Sequence, residues 1–366
     1  MHILLVSNYP PPYEGGIQFV LGQLYDRCVR LGHRATIVAS DTGIPKNPTR
    51  TLVGVPASNW LEQHSIPFPL FDPLRLIRAL NRLLPETDAV HVHGLLYMSS
   101  LFAAIMARRR GIPVVLTEHV GMVDYHQPVL NLIQRIAFHT LGRLCVRAAD
   151  AVVVLNERVY GEMQPLIRRG TPLLKVPNGV DTALFYSPTT DERPRLRAKW
   201  GFAKPTILFV GRLVKKKGID LVVAAARLAP EWDFAICGKD TELLETDLPN
   251  VRVIGKVDQP TLRELYGAAD VFLLPSEGEG FPLSVQEALA CALPVVVSDD
   301  PTNREYLDET VAAFAARQPE AISAAIRSII GDEDHRAAMS AAAYAWALAH
   351  FDWEVTVQKY LELYQG

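Results

Sequence analysis

Two glutamates, Glu279 and Glu287, stand with seven residues between them in EGEGFPLSVQEALACALPVVVSD (277–299). The first lies in a glycine-rich turn and the second inside a segment of helical composition. A carboxylate on a loop can accept hydrogen bonds from sugar hydroxyls, and one a turn into the next helix can reach vicinal hydroxyls such as those of a ribose. Pro282 suits a first helical turn, where its missing N–H would be unpaired anyway. The free amides of that turn can then face an anion. Upstream, VGRLVKKKGID (210–220) places Arg212 at the end of a strand-like run and Lys217 at the head of the next helix. A planar guanidinium fork and an ammonium point charge at one strand edge suit a diphosphate, whereas Lys215 and Lys216 read as a solvated basic turn. Together these residues describe a pocket for a sugar, a diphosphate and a nucleoside. A plain capped surface loop is the alternative, and it leaves unexplained an acid heading an otherwise apolar segment.

A second glycine turn, Gly15 and Gly16, precedes an amphipathic helix near the N-terminus. Glycines there either let backbone N–H groups approach a phosphate or serve a tight turn needing positive φ. The turn is neither a dinucleotide fingerprint nor a Walker A sequence. His91 and His93 alternate on one strand and so share a face; His-x-His could bind zinc, but no third ligand lies nearby. His93 is expected to line a cleft and His91 to be a satisfied core residue. The one Asp-x-Asp, at 332–334, reads as a solvated turn.

The elements that must position these residues form two series. Buried-strand runs without strict alternation, at 3–7, 35–39, 89–93, 113–117, 151–155 and 173–177, alternate with helical segments at 17–31, 71–84, 96–110 and 128–148. The polar YSPTTDERPR (186–195) interrupts the pattern. Strand runs then resume at 206–210, 233–237, 251–255, 271–275 and 294–298, and three helical stretches close the chain. With 366 residues, 49% apolar and 21% charged, two globular domains are expected. The fold class is α/β, with two doubly wound Rossmann-like domains facing a central cleft where a ligand sits at the strand C-termini. The boundaries read as 1–185, a linker at 186–204, 205–348, and a C-terminal helix, 349–366, returning to the first domain.

No apolar run reaches the roughly 18 to 20 residues of a membrane span. MHILLVS reads as a first strand, not a signal peptide, and four scattered cysteines fit a reducing cytoplasm. The net charge of −3 hides an asymmetry: residues 1–180 hold 18 basic and 12 acidic residues, the remainder 19 and 28. A basic first half, almost all arginine, faces something anionic. Arg75, Arg78 and Arg82 share one helix face; Arg135, His139, Arg143 and Arg147 share another, opposite Ile133, Ile136, Leu144 and Ala148. Such stripes fit an ordinary solvated face or an anionic membrane surface.

GRLVKKKG, PSEGEGFPLSVQEALACALPVVVSD, VPNGVD and the glycine pair entering a helix that ends LGHRATIV all resemble family 4 of the retaining glycosyltransferases. The resemblance covers essentially the whole chain and implies the GT-B fold. By that resemblance Glu287 holds the nucleotide ribose, Glu279 the transferred sugar, and Arg212 and Lys217 neutralise the diphosphate with backbone amides near Phe281 and Leu283. Gly15 and Gly16 close over the phosphates, and His119, in VVLTEHV, sits at the reaction centre; without the resemblance it reads equally as a core or loop residue. No metal or cofactor is implied. Two departures stand out: Pro282 replaces a frequent glycine, and ICGKD (236–240) lacks a second glycine. The expected activity is retaining transfer of a hexose from a UDP-, GDP- or ADP-sugar to an acceptor hydroxyl, with a lipid-linked glycan or cell-surface polysaccharide precursor favoured and no nucleic-acid partner. The alternatives are a non-catalytic sugar-nucleotide-binding protein and a GT-B epimerase or phosphorylase. An NAD(P) oxidoreductase is disfavoured, because no phosphate fingerprint with a ribose-binding acid follows the first strand.

Overall fold

A computed structural model describes residues 1–11, 16–44, 48–60, 68–123, 127–239, 244, 246–277 and 281–366. The chain forms two compact units, Met1–Pro177 with Thr356–Gly366, and Asn178–Val355.

The first unit contains β1 (His2–Val6), β2 (Arg34–Ser40), β3 (Leu52–Val55), β4 (Ala57–Ser58), β5 (Leu70–Phe71), β6 (Ala89–His93), β7 (Val114–Glu118), β8 (Ala151–Val154) and β9 (Leu173–Lys175). Its helices are α1 (Gly16–Arg30), α2 (Pro73–Leu83), α3 (Met98–Arg108), α4 (Pro128–Ala137), α5 (Arg143–Ala148) and α6 (Glu157–Met163). Seven strands pair in the order β3-β2-β1-β6-β7-β8-β9, all parallel. Strands buried on both faces explain the unbroken apolar runs: Leu4 and Val6 face one core cluster, Ile3 and Leu5 the other. The strand order reverses between β1 and β6, the place where such sheets open a crevice at their C-terminal ends.

The second unit contains α7 (Glu192–Trp200), β10 (Thr206–Val210), α8 (Ile219–Leu228), β11 (Asp233–Cys237), β12 (Val251–Gly255), α9 (Gln259–Ala268) and β13 (Val271–Leu274). It continues with α10 (Leu283–Ala290), β14 (Val295–Ser298), α11 (Pro301–Tyr306), β15 (Ala312–Ala315), α12 (Pro319–Ile330) and α13 (Glu333–His350). The parallel sheet runs β12-β11-β10-β13-β14-β15, reversing between β10 and β13. The last helix, α14 (Trp353–Tyr364), packs Val357, Tyr360, Leu361 and Tyr364 into the first unit's core beside Leu21, Leu24 and Cys28 of α1.

The stretch 186–204, expected to be a linker, carries α7. Part of its polar composition reflects ion pairing. Arg193 and Arg197 reach the buried Asp270 carboxylate at 2.8 and 2.7 Å, and the Thr206 amide donates to the same group at 2.8 Å. Helix 128–148 is interrupted by a π-helical turn at Phe138–Gly142. The edge strands β3 and β15 were not expected: Gly54 interrupts the first, and the alanine-rich second reads as helix. Removing one partner of a buried, paired charge strands the others in low dielectric. Asp270→Ala should therefore destabilise the second unit by roughly 3 kcal/mol, read as a lowered unfolding midpoint in calorimetry.

Candidate active site

In the second unit the C-terminal ends of β10 and β13 lie side by side, and the sequence-predicted cations follow the first of them. The chain past β10 stays paired with the chain past β11: Gly211 N donates to Cys237 O at 3.0 Å and Leu213 N to Lys239 O at 3.1 Å. Gly238 permits that approach, since a Cβ there would lie 1.7 Å from the Gly211 carbonyl oxygen. Arg212 is exposed at this edge. Lys217 closes a 3₁₀ turn, Lys215–Lys217, and its stem runs back past Gly211, whose Cβ position is 3.7 Å from Lys217 Cδ. Gly218 follows at φ 75°, and a Cβ there would sit 2.3 Å from the Pro275 carbonyl oxygen. Only glycine combines that left-handed backbone with that contact.

The loop after β13 is tied to the same turn. Glu277 N donates to Lys216 O at 2.9 Å, Arg317 Nε to Pro275 O at 3.1 Å, and Ser298 Oγ to Ser276 O at 2.6 Å. Glu277 pairs with Arg317 at 2.5 Å. Glu279 lies outside the described residues. Helix α10 begins at Leu283 with Pro282 as its N-cap, and Pro282 offers no side-chain cap. The amides of Leu283 and Ser284 have no hydrogen-bond acceptor among the described residues, and these orphan donors suit an anion. Phe281 is buried, its ring 4.7 Å from Tyr306 and 4.9 Å from Phe351. It therefore anchors the helix start, leaving its backbone as the part able to meet a ligand.

Glu287 is buried on α10. Tyr266 on α9 donates to its Oε2 at 2.9 Å, sharing the hydroxyl with Ser284 O at 3.2 Å. Burial pushes the carboxyl up to about 7 against the opposing pull of the tyrosine hydrogen bond. Sequence reading missed Tyr266, because nothing in LYGAAD marks it; only the packing of α9 on α10 brings it there.

In the first unit, Gly15 lies outside the described residues and Gly16 opens α1. No described atom lies within 4 Å of a Cβ built on Gly16 and its φ is not positive, so the described residues impose no steric need for glycine there. His119 follows β7 and His93 ends β6; His93 Nδ1 and His119 Nε2 are 3.0 Å apart. His91 is a satisfied core residue, bonded to Tyr364 Oη at 2.7 Å and Thr117 Oγ1 at 2.8 Å. Its neighbour His93 is fully buried, and no group of three metal-capable side chains occurs among the described residues. A cavity of about 190 Å³ opens at the ends of β6 and β7, lined by Leu95, Tyr97, Glu118, Gln134 and Phe138 among others.

The basic stripe of α4 and α5 is exposed as expected, but its opposite face is not an inward one. Ile133, Ile136 and Leu144 are about half exposed (56%, 56% and 47%), as are Val129 and Leu132; only Ala148 is buried. No described helix is long and apolar enough to cross a membrane.

Two parallel α/β units of this kind are the architecture of the GT-B fold. Residues 14–184 match the family profile Glycosyltransferase Family 4, and residues 192–346 match Glycosyl transferases group 1. The chain belongs to family 4 of the glycosyltransferases. It is 26% identical to the GDP-mannose-dependent alpha-(1-6)-phosphatidylinositol monomannoside mannosyltransferase of Mycolicibacterium smegmatis, over 100% of this chain and 98% of that one. It is 27% identical to the glycogen synthase of Mycobacterium tuberculosis, over 100% and 96%. Among solved structures, Anabaena HepE in complex with UDP superposes with a TM-score of 0.79 at 19% identity, covering 99% of each chain.

A carboxylate placed like Glu287 accepts two hydroxyls of a diol only when ionised. Nucleotide binding measured by calorimetry should strengthen as pH rises from about 6 to about 8, through the raised pKa. Glu287→Gln should remove that slope and weaken binding roughly 10- to 100-fold.

Proposed function

We propose that this protein is a retaining hexosyltransferase that uses a nucleoside-diphosphate sugar and a lipid-linked glycan or polysaccharide-precursor acceptor at the cytoplasmic face of a membrane. The observation that carries the reading is the placement, after the neighbouring strands β10 and β13, of Arg212, Lys217, the α10 amides that have no acceptor among the described residues, and the buried Glu287. In this reading Glu287 holds the ribose, Glu279 the sugar, and the cations and amides the diphosphate. The backbone around Gly15, Gly16, Phe281 and Leu283 contacts the donor, and His119 contacts substrate. The relatives' names supply two donor classes to test first, GDP-mannose and UDP-sugars.

The step breaks the bond from the anomeric carbon to the diphosphate oxygen and forms one to the acceptor oxygen on the same face. The departing phosphate takes the acceptor's proton. Positive charge grows on the ring while negative charge grows on the leaving group, so fixed cations and amide dipoles aimed at that oxygen lower the barrier. The reading assigns this work to Arg212, Lys217 and the α10 amides, with no metal ion. Lys217→Ala should lower kcat roughly 10²- to 10³-fold in a folded protein, and turnover should persist in EDTA. Near-normal turnover in that variant would refute the diphosphate role, and a trapped covalent glycosyl-enzyme would refute the front-face step. Donor binding without turnover on any acceptor would favour a binding-only protein.

The membrane part of the reading rests on α4 and α5. Exposed Val129, Leu132, Ile133 and Ile136 alternate with Arg135, His139 and Arg143, pairing apolar insertion with attraction to anionic headgroups, at about 1 kcal/mol per near-surface cation. The cavity bearing Gln134 and Phe138 opens beside them and suits an acceptor delivered from lipid. Sedimentation with phosphatidylglycerol-containing vesicles should capture the protein and uncharged phosphatidylcholine vesicles should not. Leu132→Asp with Ile136→Asp should abolish capture without changing donor binding.

A further inference from the structure

His93 carries an unusual combination. It is 0% exposed; its Nδ1 pairs with His119 Nε2 at 3.0 Å, and its Nε2 is buried with no partner among the described residues. The ring is held on its other side by His91, stacked at 4.2 Å between centroids, and His91 is itself fixed by Tyr364 and Thr117. Thr117 Oγ1 lies 3.2 Å from Tyr360 Oη, so the last helix, α14, supports the ladder from below. The rings of His93 and His119 are nearly parallel, 22° apart. The protonation pattern of this array follows from which of its atoms have partners.

Burial lowers all three histidines: His91 to about 3, His119 to about 4, and His93 well below the usual range, with the neighbouring rings adding to the effect at His91 and His93. The other groups packed around them are the phenols of Tyr360 and Tyr364, both pushed up by burial, and Glu118. The Glu118 carboxylate is occupied by the amides of Leu95, Val120 and Gly121 at 2.7, 3.0 and 2.9 Å, not by an imidazole. Each histidine is therefore neutral and carries one N–H. For His93 two placements exist. A proton on Nε2 leaves a buried donor orphaned; a proton on Nδ1 leaves only a bare lone pair without a partner. Orphaned buried N–H groups are the rarer and costlier of the two. The second placement makes His93 the donor to His119 Nε2, which must then be bare, and the His119 proton falls on Nδ1. That nitrogen has no partner among the described residues.

We infer that His93 is a positioning residue that locks His119 as its Nδ1–H tautomer, so that His119 meets substrate as a neutral hydrogen-bond donor and not as a base or a cation. The group it addresses is an oxygen lone pair, on a sugar hydroxyl or a phosphate. The proposal rests on the reading of His119 as a substrate contact, and it adds the direction of that hydrogen bond and the residue that sets it.

Histidine-selective ¹⁵N labelling of the wild-type protein, followed by long-range proton–nitrogen correlation spectra, reports which ring nitrogen carries the proton. His119 and His93 should both show a protonated Nδ1 and a bare Nε2, unchanged from about pH 5.5 to about pH 8. A proton on His119 Nε2, or an imidazolium forming within that range, overturns the proposal. In turnover assays His93→Phe should lower kcat about tenfold with donor KM within about twofold. His93→Asn, whose amide nitrogen can replace the Nδ1 donor, should recover most of the loss. Equal losses in both variants would assign His93 a packing role only and overturn the positioning role. Normal turnover in His119→Ala, with His119 of the wild-type protein showing the Nδ1–H signature, would overturn the proposal through the underlying substrate contact, not through the tautomer.

Discussion

Gly218 lies against the carbonyl of Pro275 so closely that no other residue fits, and the geometry of the second unit's site follows from that contact. The contact holds the end of the lysine turn against the loop after β13, and the Glu277–Lys216 backbone hydrogen bond continues the same seam. Arg212 and Lys217 precede it in the chain, and α10 follows the loop on its other strand. Adjacent parallel strands whose connections depart to opposite faces always leave such a gap. Here Gly218 lets the two loops at that gap approach this closely.

Desolvation acts with opposite signs in the two units. It raises the Glu287 carboxyl to about 7 and lowers the three first-unit histidines, and in every case it favours the neutral form. The buried groups are thus held with little net charge, and polarity is supplied by fixed donors: Tyr266 beside the carboxylate, and one imidazole beside another. Preorganised dipoles of this kind need no rearrangement when charge develops nearby. Arg212, by contrast, is exposed.

Much of the fold was legible because parallel strands buried on both faces leave continuous apolar runs, as at ILLV, AVHVH and PVVVS. The edges were less so. The alanine-rich strand Ala312–Ala315 carries a helical composition and is a strand only because β14 offers it a free edge. The arginines of α7 read as solvated linker charges, since the acid they answer, Asp270, lies more than seventy positions away in the chain. The stripe on α4 was only half legible for a related reason. Periodicity located an apolar face, but whether another element covers that face depends on the topology, and here none of Ile133, Ile136 and Leu144 is buried.

The sequence by itself determined the two βαβ series, the cations after one strand, the carboxylate on the helix after another, and the pairing of His91 with His93 on one strand face. These depend on residue type and short spacing, which the chain carries locally. Only the tertiary structure decided that β10 and β13 are neighbours, that Tyr266 meets Glu287, that α14 closes over Thr117 and His91, and that His93 turns its Nδ1 to His119. Each of those contacts joins residues between about twenty and more than 270 positions apart. Their closure is driven by burial of the whole core, to which no single segment's pattern gives access.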